Sequence, residues 1–394
     1  MAIASVRALV ETLGRNQLLE AEQLAELNRS LPSRPDDPLA LARELLQRGW
    51  LTPYQINQLF QGHGADLVLG HFLLLQRLGE GGMGQVFKAR EMRLGRIVAL
   101  KVLRKERIGK AGMVHRFHQE IQAAAHLSHP NIVHAYDAEQ IGESHVFAME
   151  YVEGIDLSRL VKQSGPLPVM QGCEYVRQAA LGLQHIHENG MVHRDIKPAN
   201  LMRTNAGDAI KILDMGLARL REEEGEESKA NRLTQLGVVM GTIDFIAPEQ
   251  ALDSRRADIR SDLYSLGCTL YFLLSGQSPF PVEEPMAKLL AHSCEAAVPL
   301  EQMRAEVPAC VSAIADKLMA KRPDQRYQTP AELIVDLAAL SPAPVAAPPT
   351  AILVPRLEAL APTTAAAQEI QNRRIWIAVV IFSLLLVALI VYLW

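Results

Sequence analysis

The segment His193-Arg194-Asp195-Ile196-Lys197-Pro198-Ala199-Asn200 sets a carboxylate, a cation and an amide at fixed offsets, in a loop that Pro198 interrupts. Such a set suits phosphoryl transfer. That reaction needs a carboxylate to orient a hydroxyl, a cation beside developing charge and an oxygen ligand for a metal ion. In isolation the same residues fit a chance match or a retained scaffold. Their meaning depends on the partners that the rest of the chain supplies.

Leu78-Gly79-Glu80-Gly81-Gly82-Met83-Gly84-Gln85-Val86 fits the spacing G-x-G-x-x-G-x-V. Glycine lets a backbone approach phosphate oxygens closely. The pattern alone is weak, and a turn between strands would carry it equally well. Its flanks are more informative. His71–Leu75 before it and Val86–Arg90 after it both read as strands, so the glycines sit in a hairpin. A dinucleotide site would instead open a helix at the last glycine. Ile97-Val98-Ala99-Leu100-Lys101 reads as a strand that ends on a cation. A helical pattern begins at Arg116, with Phe117, Ile121, Ala124 and Ala125 on one face and Glu120 at its border. Ile210–Leu213 is a short apolar strand, followed by Asp214-Met215-Gly216.

In this order the segments resemble the motifs of bacterial eukaryotic-like serine/threonine protein kinases. The catalytic loop matches HRDxKPxN, the strand Lys matches V-A-I-K, and Asp214-Met215-Gly216 matches DFG with Met for Phe. Ala247-Pro248-Glu249 matches APE, and Ser261-Asp262-Leu263-Tyr264-Ser265-Leu266-Gly267 matches the family's buried helix. The resemblance covers residues 72–340. It implies an α+β fold of the bilobal kinase type, with an antiparallel-sheet N-lobe and a helical C-lobe.

The activity it implies is transfer of the γ-phosphate of ATP to Ser or Thr of protein substrates, with Mg²⁺ as cofactor. Asp195 would orient the hydroxyl and accept its proton, and Lys197 would stabilise the γ-phosphate. Lys101 would hold the α- and β-phosphates, paired with Glu120. Asp214 and Asn200 would bind the metal. The ATP site would comprise Leu78, Gly79, Glu80, Gly81, Gly82, Met83, Gly84, Gln85 and Val86. Val86, Ala99 and Met202 would sandwich adenine. Met149 would be the gatekeeper, Glu150 and Val152 the hinge contacts, and Asp156 a ribose contact. Asp262 would support the catalytic loop backbone, and Arg326 would pair with Glu249. The resemblance also implies activation by autophosphorylation. Thr234 is the candidate phosphosite that would pair with Arg194, and Thr242 the one that shapes the substrate site.

Outside this region the chain changes character. Residues 1–65 read as short helices. Asp37-Pro38 and Thr52-Pro53 look like helix starts; Leu39, Ala42, Leu45 and Leu46 form one stripe, and Ile56, Leu59 and Phe60 another. The stripes fit an appendage on the small lobe or a docking module for a partner, and the sequence does not separate the two. Residues 341–372 are rich in Pro, Ala and Thr and read as a semi-extended linker. Residues 375–394 contain no charged residue, and a helix of that length spans about 30 Å, the thickness of a bilayer core. Trp376, Tyr392 and Trp394 lie near its ends, and Arg373-Arg374 precede it. A single-pass transmembrane anchor with the kinase region on the cytoplasmic side is therefore expected, with no extracellular domain after it.

The net charge of -4 gives no sign of a nucleic-acid partner. The four cysteines form no CxxC pair and imply neither a disulfide framework nor a zinc site. Two alternatives stand beside the enzyme: a pseudokinase, whose foothold is Met215, and a membrane scaffold acting through the N-terminal helices. Homodimerisation for autophosphorylation and the identity of any docking partner stay open.

Overall fold

The computed structural model describes residues 3–81, 84–103, 126–214 and 243–340. They all belong to one compact unit, Met1–Ser341; a second, Pro342–Trp394, lies outside the described residues.

Four helices open the chain: α1 (Val6–Arg15), α2 (Ala21–Ser30), α3 (Pro38–Gln47) and α4 (Pro53–Phe60). The Asp37 carboxylate accepts the N–H groups of Leu39 and Ala40, and the Thr52 hydroxyl accepts that of Gln55. Each cap is followed by proline at the first helical position, where no N–H is needed. The buried stripe of α3 differs from the expected one. Leu41, Ala42 and Leu45 are buried, whereas Leu39 is 54% exposed. The i, i+4 pair Leu41/Leu45 sets the inward direction, and Leu39 falls on another side of the helix.

The N-lobe is a six-stranded antiparallel sheet in the order β1-β2-β3-β4-β6-β5. Its strands are β1 (Val68–Leu69), β2 (Phe72–Gly81), β3 (Gly84–Glu91), β4 (Arg96–Leu103), β5 (Ala135–Ile141) and β6 (Ser144–Glu150). The period of two on β4 sends Val98 and Leu100 to one apolar cluster and Ala99 and Leu103 to another. Lys101 shares the parity of Ala99 and Leu103 and is buried, so its charge needs a partner.

The C-lobe begins with β7 (Gly154–Asp156), α5 (Leu157–Ser164) and α6 (Val169–Glu188). A small antiparallel sheet then pairs β7 with β8 (Leu201–Thr204) and β8 with β9 (Ile210–Ile212). The helices α7 (Pro248–Leu252), α8 (Ile259–Ser275), α9 (Pro285–Cys294), α10 (Leu300–Met303), α11 (Ala309–Leu318) and α12 (Pro330–Leu340) complete it. Asp258 caps the start of α8 and Gly276, with φ 78°, ends it. Between them the helix is buried on nearly all sides and forms the lobe's centre. Among the described residues no helix is long and apolar enough to cross a membrane; the expected anchor at 375–394 lies outside them.

Candidate active site

Two non-glycine residues of the cleft hold left-handed backbone: Arg194 with φ 67° and Asp214 with φ 57°. Such conformations cost on the order of 1–3 kcal/mol each and persist only where the surroundings impose them. For Arg194 the constraint is visible. The Asp262 carboxylate, from the first turn of α8, accepts the backbone N–H groups of His193 and Arg194, each at 2.7 Å. The Gln250 side-chain amide donates to the Arg194 carbonyl at 2.7 Å. Burial pushes the Asp262 carboxyl up to about 6, against the His193 charge and these two N–H groups. His193 closes the other side: its Nε2 lies 2.8 Å from the Leu213 carbonyl, and its Nδ1 receives the Asp195 N–H at 3.3 Å. His193 thus ties the catalytic segment to the residue before Asp214.

On this scaffold Lys197 Nζ sits 2.9 Å from both carboxylate oxygens of Asp195. The Asn200 amide nitrogen donates to the Asp195 carbonyl at 2.8 Å and to its Oδ2 at 3.1 Å. That fixes the amide's orientation and leaves Asn200 Oδ1 as its acceptor. Lys101 Nζ reaches across the cleft to Asp214 Oδ1 at 2.9 Å. Burial opposes ionisation of Asp214, but the charge and hydrogen bond of Lys101, with His193 and Lys197 behind it, hold its carboxyl below the usual range. An ionised carboxylate and an amide oxygen are hard donors of the kind Mg²⁺ takes, so these residues fit the metal.

The nucleotide side of the cleft joins both lobes. Val86 of β3 stands opposite Lys101 of β4 in the sheet register. Ala99 and Met149 are buried in the cluster against which Leu78, Val86, Tyr151 and Val152 pack. Among the described residues the Val152 N–H has no partner, which leaves a donor at the hinge. The Asp156 side chain accepts the Arg159 N–H at 2.9 Å and so caps α5. Met202 on β8 pairs with Asp156. Gly79, Glu80, Gly81, Gly84 and Gln85 form the hairpin end of β2 and β3. Gly82, Met83, Glu120, Met215, Thr234 and Thr242 lie outside the described residues.

Several contacts are not among the sequence expectations. Lys211 of β9 bonds the Glu150 carboxylate at 2.9 Å, bracing the hinge against the C-lobe. The buried Asn131 side chain donates to the Ile210 carbonyl at 2.8 Å, and Gln178 accepts the Ile210 N–H at 2.8 Å. Strand alternation marks Lys211 only as outward-facing, and nothing near it in the chain names its partner. The expected Arg326–Glu249 pair is present, bidentate at 2.7 and 2.9 Å, with the Arg326 side chain 0% exposed.

The sequence profile of the protein kinase domain matches residues 72–336. The chain is 40% identical over 264 residues to the serine/threonine-protein kinase PknB of Mycolicibacterium smegmatis, covering 66% of this chain and 41% of that protein. A probable serine/threonine-protein kinase of Corynebacterium efficiens is 37% identical over 272 residues, covering 67% and 40%. The chain thus spans about two fifths of the length of these curated relatives. The crystal structure of the Mycobacterium tuberculosis PknI kinase domain superposes with a TM-score of 0.54 at 25% identity, covering 69% of this chain and 97% of that one.

Proposed function

Since the chain belongs to the protein kinase domain family, we propose that it transfers the γ-phosphate of ATP to Ser or Thr hydroxyls of protein substrates. The observation that carries this is the meeting of two ion pairs in one cleft: Lys101 with Asp214, and Lys197 with Asp195 held by Asn200. Asp195 accepts a hydrogen bond from the substrate hydroxyl and takes its proton as the oxygen bonds the γ-phosphorus. The bond from that phosphorus to the bridging oxygen breaks, and ADP leaves. Lys197 neutralises charge on the transferring group, and Lys101 holds the phosphates behind it. Asp214 and Asn200 would hold Mg²⁺, which would supply positive charge beside the phosphates.

Lysine at position 197 favours Ser and Thr over Tyr as acceptors. Thr234 and Thr242 are the candidate sites for autophosphorylation in the same reading. Incubation with γ-labelled ATP and a Ser/Thr-rich acceptor protein is expected to give Mg²⁺-dependent labelling that a chelator stops. Labelling that persists in excess chelator would exclude this metal role.

The same reading includes a membrane anchor at residues 375–394, supported by the absence of charge and by flanking Arg373-Arg374. The full chain is expected to remain with membranes after a high-salt wash, because apolar insertion is not screened by ions. A chain ending at Leu340 is expected to stay in the supernatant with its kinase activity. Release of the full chain by salt alone would contradict the anchor.

A further inference from the structure

The N-terminal helices bury a leucine cluster of their own, from Leu9 and Leu13 on α1 to Leu45 on α3 and Leu59 on α4. That cluster closes on Leu73 of β2, with Leu75 packed against it. The strand so gripped runs directly into Gly79 and Gly81. Its pairing with β3 slips by one residue between Leu74 and Gln76, so Leu75 has no cross-strand partner. A bulge of this kind bends and re-aims its strand.

The start of α4 meets the strand there. The Thr52 hydroxyl donates to the Leu75 carbonyl at 2.5 Å, and the buried Gln55 amide donates to the Leu74 carbonyl at 2.9 Å. Both residues also close the capping box of α4. Thr52 Oγ1 accepts the Gln55 N–H at 3.2 Å, and Gln55 Oε1 accepts the Thr52 N–H at 2.9 Å. A capping box needs only acceptors from these side chains, and Glu serves its second position as well as Gln. The donors that Thr52 and Gln55 add are spent on the strand. Tyr54, between them, sets its ring 6.2 Å from that of Phe87 on β3, so α4 touches both strands of the hairpin.

We propose that Thr52 and Gln55 are positioning residues for the phosphate-binding glycines, through which the N-terminal helices brace β2 and raise the affinity for ATP. This rests on the phosphoryl-transfer reading of the cleft. Gln55→Glu and Thr52→Asp keep the acceptors of the capping box and remove the donors to Leu74 and Leu75. Losing one such hydrogen bond is expected to raise the KM for ATP, and the Kd for ATP measured by calorimetry, about three- to tenfold. The KM for the protein acceptor should stay within about twofold, because the brace acts on the glycine hairpin and not on the loop of Asp195 and Lys197. Thr52→Ser keeps the hydroxyl and should behave as wild type.

Leu27→Ala is the control. Leu27 is buried in the same cluster, but its helix packs on α1. This change should lower Tm and active concentration without moving the KM for ATP, as any purely structural loss would. Should Gln55→Glu fail to fold, Thr52→Asp carries the comparison. The brace is overturned if either folded variant binds ATP as wild type does, or if Leu27→Ala weakens ATP binding as much. A wild-type chain that binds ATP but transfers no phosphate would sink the kinase reading instead, while the calorimetric comparison still decides the brace.

Discussion

Replacing Asp195 by Asn is expected to lower kcat by about 10²- to 10⁴-fold, the usual contribution of a positioned general base, while the affinity for ATP is kept. The amide has the size of the carboxylate but cannot take the proton of the hydroxyl. It also gives up the ion pair with Lys197, whose Nζ lies 2.9 Å from both oxygens. The loop itself should hold, because Asn200 also bonds the Asp195 backbone carbonyl at 2.8 Å and Asp262 still accepts two N–H groups. Steady-state kinetics with ATP calorimetry on the same preparation checks this. A variant with wild-type kcat would remove Asp195 from the reaction.

The second large effect falls on stability. Glu249→Ala strands the Arg326 guanidinium, which is 0% exposed and depends on that carboxylate for two of its bonds. Arg326 also donates to the carbonyls of Ala320, Arg260 and Lys321, so it cannot turn outward. Breaking one side of such a buried pair typically costs about 3–5 kcal/mol. Burial pushes the Glu249 carboxyl up, but Arg326 and the Ser261 hydroxyl outweigh it and hold it below its ordinary 4.5. A lowered folded value means stabilisation that is present above the unfolded value and lost as pH falls through the folded one. Denaturant titrations should therefore show wild type losing stability below about pH 4.5, with the contribution of Glu249 missing from the variant. A loss under about 1 kcal/mol at neutral pH would mean the pair is not holding the lobe.

The cleft was legible in the sequence because its groups ride on short segments whose internal spacing fixes their geometry. Asp195, Lys197 and Asn200 occupy one loop, and the apolar runs before Lys101 and Asp214 mark the strands that carry them, although β4 continues past Lys101 to Leu103. Contacts made through space were harder to see. Lys211 reads as a solvent-facing strand residue, and only the fold brings the Glu150 carboxylate to it. Thr52-Pro53 reads as a helix start, which it is; the bonds of Thr52 and Gln55 to the sheet depend on a bulge in a strand some twenty residues on. Leu39 reads as part of the α3 stripe, because a helical period does not say which side of the helix the rest of the chain will cover.

Phosphoamino-acid analysis reads the transfer and its acceptor hydroxyl in one experiment. The full chain is incubated with γ-labelled ATP, Mg²⁺ and an acceptor protein that offers Ser, Thr and Tyr, and the labelled acceptor is hydrolysed in acid. Label is expected on phosphoserine and phosphothreonine, none on phosphotyrosine, and almost none at all with the Asp195→Asn chain. Label on phosphotyrosine, or equal labelling by wild type and Asp195→Asn, would contradict transfer to Ser and Thr through Asp195.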